Sequence, residues 1–454
     1  MNERYASAAH QLLNSSTFFP NRHRVLAELR PHSQTIHLHQ VLPSEFLVLR
    51  NTKQFAELSG KIGTITHELT HWFDLVATVW GQEYIVDLFD AYEAAFNHRQ
   101  GAAEYEWWKV IRLLDRDRRT MGLRYYKVVN SREQEHGLRN PWGLSYSVGR
   151  EFDAAGRVND AAPIFFARFS HSVSKELIAR VPLSVGALLE VRAVHFEKVD
   201  EFAVLGLNAD EETRRVDQGL KGHEWERTFY DPELVDYTVA AHVLSSNSGT
   251  SEPITTYRLA TALAGICLNL TSQNFSKILI PSQLGFIDQS IGKAFLHAEN
   301  RGFAFACLAF AAPAYNEGMD EETWLETTLA AVGLPDRATL DAAAVARLEE
   351  LRATLTTRWR MDKTRDHLLE VGRQTLPIRL KLAEKGVPAR LNQAGVRFPP
   401  MFDAEGNAFF QYASHTDEIL YDPFEMFDCE ADLWKFTDNF MAACRGSSLS
   451  TGEV

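Results

Sequence analysis

Thr66-His-Glu-Leu-Thr-His-Trp-Phe-Asp-Leu-Val-Ala-Thr-Val-Trp-Gly81 is the stretch from which the organisation of this chain can be inferred. His67 and His71 are four residues apart, and side chains with that spacing lie one above the other on a helix. Both imidazoles can therefore reach one zinc ion, while Glu68, about 100° round the helix, faces a water on that metal. The HExxH pattern thus predicts two ligands and a base on one helix.

The residues around this pattern predict a helix that is buried on most sides. Apolar side chains recur at helical spacing along one side: Ile65, Leu69, Trp72 and Val76. On the opposite side, the two histidines are followed at the same spacing by Asp74 and Thr78. A buried polar row costs about a few kcal/mol per group unless each group finds a partner, and a metal ion supplies one. The alternative is a pair of core histidines bonded to carbonyl groups or waters.

Asp74 lies one turn beyond the second histidine of the pattern. In one interpretation its carboxylate accepts the N–H of a ligating imidazole and orients that ring. In the other it is a surface carboxylate with no part in the site. The sequence leaves both open.

A third ligand is expected on a second buried helix. Pro182 predicts the start of that helix, and residues 183–196 are apolar on nearly every side. Glu190 lies within it, and its neighbours one turn away cannot pair with a carboxylate: Gly186, Ala187, Ala193 and Val194. A buried carboxylate with no cation nearby must be protonated or bound to a group from elsewhere in the fold, and a metal ion suits it. A salt bridge to a distant arginine is the alternative.

Two other glutamates, Glu93 and Glu104, are rivals for this position. Glu93 follows His71 by 22 residues (93 − 71) but borders an acidic stripe that is typical of a solvent-exposed helix face. We therefore prefer Glu190 as the third ligand and keep Glu93 as the fallback.

Composition restricts the classes of function. The chain has 454 residues, 45% of them hydrophobic, so it can form two or three domains with a large core. Its formal net charge of −13 argues against nucleic acid or an anionic membrane as the main partner, because both need a basic surface. The four cysteines lie far apart without a CxxC pair, which predicts reduced thiols in a cytoplasmic protein. No signal peptide and no transmembrane segment are expected.

The rest of the chain predicts an α+β fold that is mainly α. Alternation at residues 35–41 and the apolar run 46–49 predict a small sheet ahead of the metal helix, and residues 141–169 predict a strand hairpin with a turn at 153–156. A strand near the metal helix would offer an edge on which an extended peptide could be held by backbone hydrogen bonds.

The expected division has four parts. Residues 1–207 form a domain that carries the metal helix and the small sheet, and residues 208–229 form a charged surface connection. Helical periodicity predicts an all-helical domain at residues 230–445, and residues 446–454 are expected to be a disordered tail.

Residues 67–71 resemble the zincin metallopeptidases. The metzincin branch is excluded, because it has a glycine three residues after the second histidine and a histidine three further on, where this chain has Asp74 and Ala77. A glutamate on a later helix as third ligand makes the resemblance gluzincin-like. The stretch HELTHWFD with Thr78 and Gly81, and the later PLSVGALLE helix, is similar to a group of bacterial HExxH proteins. The resemblance covers two stretches in the first 200 residues.

This resemblance implies a zincin-like domain and a zinc cofactor. His67 and His71 would be ligands, and Glu68 would be the general base and later the proton shuttle. The oxyanion would need a donor besides zinc, commonly Tyr, His or Arg. Tyr146, His171 and His242 are candidates, and the sequence does not choose among them.

The sequence favours a zinc metalloendopeptidase that acts on an intracellular protein or peptide. The alternative is a non-catalytic helical interaction or regulatory protein that keeps a structural or vestigial zinc site. Glu68 discriminates between them, because a structural site needs no base there. Hydrolysis of a non-peptide amide or ester would use the same residues and stays open, as does the oligomeric state.

Overall fold

The computed structural model describes residues 26–99, 106–122, 125–128, 136–152, 157–316, 318–353, 360–381, 398–409 and 423–444. Within these ranges the fold is mainly helical with two small sheets, as the sequence predicts. Glu104, the expected turn at 153–156 and the expected tail at 446–454 lie outside the described residues. None of the described helices is long and apolar enough to cross a membrane.

Each of the two sheets has four strands. The first has the order β1-β2-β7-β8, with β1 Ala27–Arg30, β2 Thr35–Leu38, β7 Met401–Phe402 and β8 Ala408–Phe409. The second has the order β3-β6-β5-β4, with β3 Lys127–Val128, β4 Gly143–Phe152, β5 Val158–Ser170 and β6 Leu177–Pro182. The antiparallel β4–β5 pair confirms the hairpin predicted from residues 141–169.

Fifteen α-helices are described along the chain. The first seven are α1 Pro43–Asn51, α2 Phe55–Val76, α3 Val79–Arg99, α4 Trp107–Met121, α5 Val185–Leu205, α6 Glu211–Phe229 and α7 Val235–Ser248. The others are α8 Pro253–Asn269, α9 Ser272–Phe275, α10 Gln289–His297, α11 Arg301–Ala311, α12 Glu321–Ala331, α13 Arg337–Ala353, α14 Asp362–Lys381 and α15 Pro423–Cys444. Helix α2 contains the HExxH pattern and α5 contains Glu190.

Two local predictions are wrong, and the expected surface connection at 208–229, whose role stays a prediction, is helical. Residues 46–49 are helical, in α1, because Pro43 opens a helix there, and β1 takes the place of the expected second strand beside β2. Pro182 ends β6 and does not begin α5, whose N-cap is Ser184. The segment 208–229 contains the regular helix α6, which is largely exposed apart from Trp225 and Phe229.

Helix α5 lies between two hydrophobic cores. One core joins the second sheet to α5, α7, α8 and α11, and includes Leu188 and Val191. The other joins β1, β2, α2 and α3 to α14 and α15, and includes Leu189 and Phe196. Both cores combine residues from either side of the expected boundaries at 207 and 230, and those boundaries stay a prediction.

Candidate metal centre

Helices α2 and α5 pack side by side and bring their polar residues together. His71 and Glu190 are almost fully buried, and the side chain of His67 is 13% exposed. Gly63 permits this approach, since a Cβ atom there would lie 2.7 Å from Cγ of Glu201 on α5. The site is therefore fixed by the contact between two long helices.

Both histidines direct Nε2 at the same carboxylate oxygen. Oε2 of Glu190 lies 3.2 Å from Nε2 of His67 and 3.6 Å from Nε2 of His71. Ligands placed tetrahedrally about 2.0–2.1 Å from a zinc ion are separated by roughly 3.3 Å, so these distances suit a shared ion. Among the described residues, His67, His71 and Glu190 form the group of histidine, cysteine and acidic side chains that could hold a metal.

The Glu190 carboxylate is a buried anion whose hydrogen-bonding capacity is unused. Neither of its oxygens accepts a well-formed hydrogen bond within the described part of the chain. Burial favours its protonated form, but the neighbouring His71 and His67 outweigh burial and lower the pKa of Glu190. Such an oxygen, aimed at two imidazole nitrogens, fits a metal ligand.

Glu197 lies beside the candidate site, although no sequence pattern marked it. Its Oε2 lies 2.9 Å from Nδ1 of His67, on the ring side opposite Glu190. Burial opposes its ionisation, but Lys198 and then His67 hold the pKa of Glu197 well below its usual range. A carboxylate at Nδ1 leaves Nε2 as the ligating nitrogen. The available signal was spacing, because Glu197 follows Glu190 by seven residues, about two helical turns.

No family model, curated protein or solved structure matches this chain. The charges of the site nevertheless suit a cation. The two acids beside His67 illustrate it: burial disfavours the imidazolium, yet Glu190 and Glu197 raise the pKa of His67 well above its usual value. The negative charge that attracts a proton to this ring would also attract a metal cation.

Glu68 lies against the first sheet. Its Oε2 accepts the backbone N–H of Leu29, in the edge strand β1, at 2.6 Å. Burial raises the pKa of Glu68, and the nearby histidines oppose this shift. One carboxylate oxygen thus anchors β1 to α2, a structural role that the HExxH pattern does not predict.

Asp74 is completely buried, so the interpretation as a surface carboxylate is wrong. Nε of Arg192 lies 2.9 Å from Oδ2 and 3.1 Å from Oδ1 of Asp74, and Nη1 of Arg192 donates to the carbonyl of Thr261 at 3.0 Å. This ion pair links α2, α5 and α8. Nδ1 of His67 is met by Glu197. The interpretation in which Asp74 orients a ligating imidazole stays a prediction.

The fallback ligand and the oxyanion candidates have partners elsewhere in the fold. Glu93 forms an ion pair with Lys109, whose Nζ lies 3.6 Å from it. Tyr146 Oη accepts the side-chain amide of Asn247 at 3.3 Å.

The two histidine candidates bond to the backbone. Nδ1 of His171 accepts the N–H groups of Val173 and Ser174 at 3.1 and 3.0 Å. Nε2 of His242 donates to the carbonyl of Phe229 at 2.7 Å, and burial lowers the pKa of His242 to about 4.

The ring of Tyr237, on α7, lies beside the candidate metal group. Its ring centroid is 6.0 Å from that of His67. The charge of Glu190, and then burial, raise the pKa of Tyr237 well above its usual value, so the phenol keeps its proton and can donate a hydrogen bond. No motif marked Tyr237, because only the packing of α7 brings it to α2.

Proposed function

We propose that this protein is a zinc-dependent metallopeptidase that hydrolyses peptide bonds in an intracellular protein or peptide. The observation that carries the proposal is the pair of Nε2 atoms 3.2 and 3.6 Å from one buried oxygen of Glu190, with Glu68 next in the chain to His67. Two imidazoles and a carboxylate are the ligand set of known catalytic zinc sites.

The composition of the site supports catalysis over a purely structural role. Structural zinc sites are almost always closed by four protein ligands, frequently cysteines, whereas catalytic sites use three and keep one position for water or substrate. The group found among the described residues has three members and no cysteine. The described cysteines, Cys267, Cys307 and Cys429, are free and buried, which supports the proposed cytoplasmic location.

The proposed roles follow from position. Zinc, when bound, would polarise the scissile carbonyl group and lower the pKa of a bound water towards about 7. Glu68 would accept a proton from the attacking water and deliver it to the leaving amine. Tyr237 would donate its O–H to the carbonyl oxygen as negative charge develops there. Glu197 would hold the His67 ring in the ligating orientation.

One observation favours the non-catalytic alternative. The bond between Glu68 and the Leu29 amide gives Glu68 a structural reason to be present, so its presence does not by itself require catalysis. In this second candidate function the chain binds zinc as a regulatory or interaction protein.

Metal content and cleavage by a Glu68→Gln variant separate the two candidates. Glutamine keeps an oxygen that can accept the Leu29 N–H but cannot take a proton from water. Zinc content is measured in the purified parent and variant, and cleavage is followed by mass spectrometry on a peptide library. One zinc per chain in both proteins, with cleavage by the parent only, supports the peptidase. A parent that binds zinc and cleaves no peptide leaves the second candidate.

A further inference from the structure

A chain of alternating charges runs from the candidate metal centre to helix α6. Oε2 of Glu197 meets Nδ1 of His67 at 2.9 Å, and Oε1 of the same carboxylate lies 2.8 Å from Nζ of Lys198. Lys198 also lies 3.0 Å from Oε2 of Glu201, whose Oε1 is 2.9 Å from Nζ of Lys221 on α6. We call these five residues the ion chain.

Two members of the ion chain, Lys198 and Glu201, are shielded from water. Side-chain exposure is 8% for Lys198 and 3% for Glu201, against 21% for Glu197. Charges at such positions are retained when they are paired, and removal of one partner leaves the other uncompensated. Lys198 lies between two carboxylates and is the cation that both of them contact.

Lys198 fixes the carboxylate that orients His67. The two oxygens of Glu197 have different partners, one the imidazole and the other Lys198. With Lys198 in place, each oxygen of the carboxylate has its own partner, which holds the carboxylate against Nδ1 of His67. Without it, Glu197 keeps a single partner, and the His67 ring is free to leave the orientation that directs Nε2 at Glu190. Such indirect partners commonly change metal affinity by about 10–100-fold.

We propose that Lys198 is a positioning residue of the metal centre: it acts through Glu197 to set the orientation of His67 and thereby the affinity for zinc. Glu201 and Lys221 hold Lys198 in place and link the centre to α6. The proposal rests on the metal site of the proposed function and does not require that the site cleaves peptides.

The test measures zinc affinity of the metal-free full-length protein by competition with a chromogenic chelator. Lys198→Met keeps the length of the side chain and removes its charge, and we expect a loss of zinc affinity of about 10–100-fold. Lys198→Arg keeps the cation and should lose less zinc affinity than Lys198→Met. Lys61→Met is the matched control, since it removes a lysine of α2 whose 2.8 Å ion pair with Glu45 is separate from the ion chain.

Circular dichroism and thermal unfolding check that each variant is folded, and Lys198→Gln replaces Lys198→Met if the latter does not fold. Unchanged affinity in the folded Lys198 variant, or an equal loss in Lys61→Met, overturns the proposal. A parent that binds no zinc overturns it together with the metal site. The expected affinity losses in a protein that cleaves no peptide support the ion chain while the proposed peptidase fails.

Discussion

At the scale of single residues, the centre contains polar groups that also hold the fold together. Glu68 is the clearest case, because its carboxylate joins β1 to α2 in addition to its proposed role in proton transfer. A substitution there changes two properties, and only a pair of variants separates them.

We predict that Glu68→Ala lowers the free energy of unfolding by about 1–3 kcal/mol more than Glu68→Gln does. Alanine leaves the buried N–H of Leu29 without its acceptor, whereas glutamine retains one. Urea unfolding of the metal-free variants measures the difference. Equal stabilities would mean that the bond to Leu29 contributes nothing to folding.

The Asp74–Arg192 ion pair provides a second prediction. Both side chains are buried, so Arg192→Met removes the arginine partner of a buried carboxylate and should cost about 3–5 kcal/mol of stability. The double variant Arg192→Met, Asp74→Leu removes both charges and should recover most of that loss. Chemical denaturation of both proteins provides the measurement, and a double variant no more stable than the single one contradicts the prediction.

Only part of this candidate centre could be predicted from the sequence. Helical spacing within five residues places His67 and His71 together, because it is a local property of any helix. Glu190 could be inferred because no neighbour on its own helix could pair with it. Tyr237 and Arg192 could not, since each meets its partner through the packing of helices far apart in the chain.

At the scale of elements, the corner between α2 and α3 is built on a glycine. Helix α2 ends at Val76 and α3 starts at Val79, and a Cβ atom at Gly81 would lie 2.0 Å from the carbonyl oxygen of Leu75. That oxygen belongs to the backbone, so a side chain at position 81 could be accommodated only if α2 itself moved. The tightness of this corner explains why residue 81 is a glycine.

We predict that Gly81→Ala destabilises the protein by at least about 1–3 kcal/mol, the usual cost of overpacking. Gly60→Ala, in α2, is the matched control, because no atom lies within 4 Å of its new Cβ. Alanine there should raise the free energy of unfolding by about 0.5–1 kcal/mol. Thermal unfolding of the two variants gives opposite shifts of Tm. A rise of Tm in both would mean that the corner relaxes at no cost.

Prediction of elements from the sequence succeeded for the long β4–β5 hairpin and failed for the short apolar run at residues 46–49. The hairpin of β4 and β5 has ten and thirteen residues and was recognisable, whereas the four apolar residues 46–49 suit a strand or a helix equally. Pro182 was assigned to a helix start on its local preference, although β6 extends as far as that residue.

At the scale of the whole molecule, the hydrophobic cores join α5 to parts of the chain that are distant in sequence. Leu189 and Phe196 pack in one core with Met361 and Phe436, and Arg192 bonds to Thr261. The helix that carries Glu190 is therefore stabilised by residues that are distant in the chain.

We predict that a fragment of residues 1–207 does not form the folded metal centre by itself. Its cores would lack the partners that α8, α14 and α15 supply. Near-UV circular dichroism and zinc binding of the fragment, compared with the full chain, measure this. A fragment that folds and binds zinc like the parent would instead support an independent domain ending at 207.

Acid sensitivity is a second property of the whole molecule. The folded pKa of His242 is about 4, below the ordinary value of 6.5, because the ring is buried. Between these values the unfolded chain binds one more proton than the folded chain, so stability is retained above pH 6.5 and falls as the pH drops towards 4. The slope from one such group is about 1.4 kcal/mol per pH unit.

We predict that His242→Gln reduces this slope by about one proton, because glutamine can donate to the Phe229 carbonyl without titrating. The remaining slope has other sources, including His37 and His195, whose pKa values burial lowers to about 3. Urea unfolding at several pH values between about 4.5 and 7, the range over which one such group titrates, measures this slope. An unchanged slope would show that His242 is protonated without cost.

Glu190 and Glu197 lie on the same side of α5 because seven residues complete nearly two turns. One residue inserted between them would rotate everything after it by about 100° and advance it by about 1.5 Å. Glu190 would then keep its position beside His71, while the carboxylate of Glu197 would turn away from His67. The insertion of one residue between Glu190 and Glu197 would therefore separate the proposed metal ligand from the residue proposed to orient His67, without altering any side chain of the site.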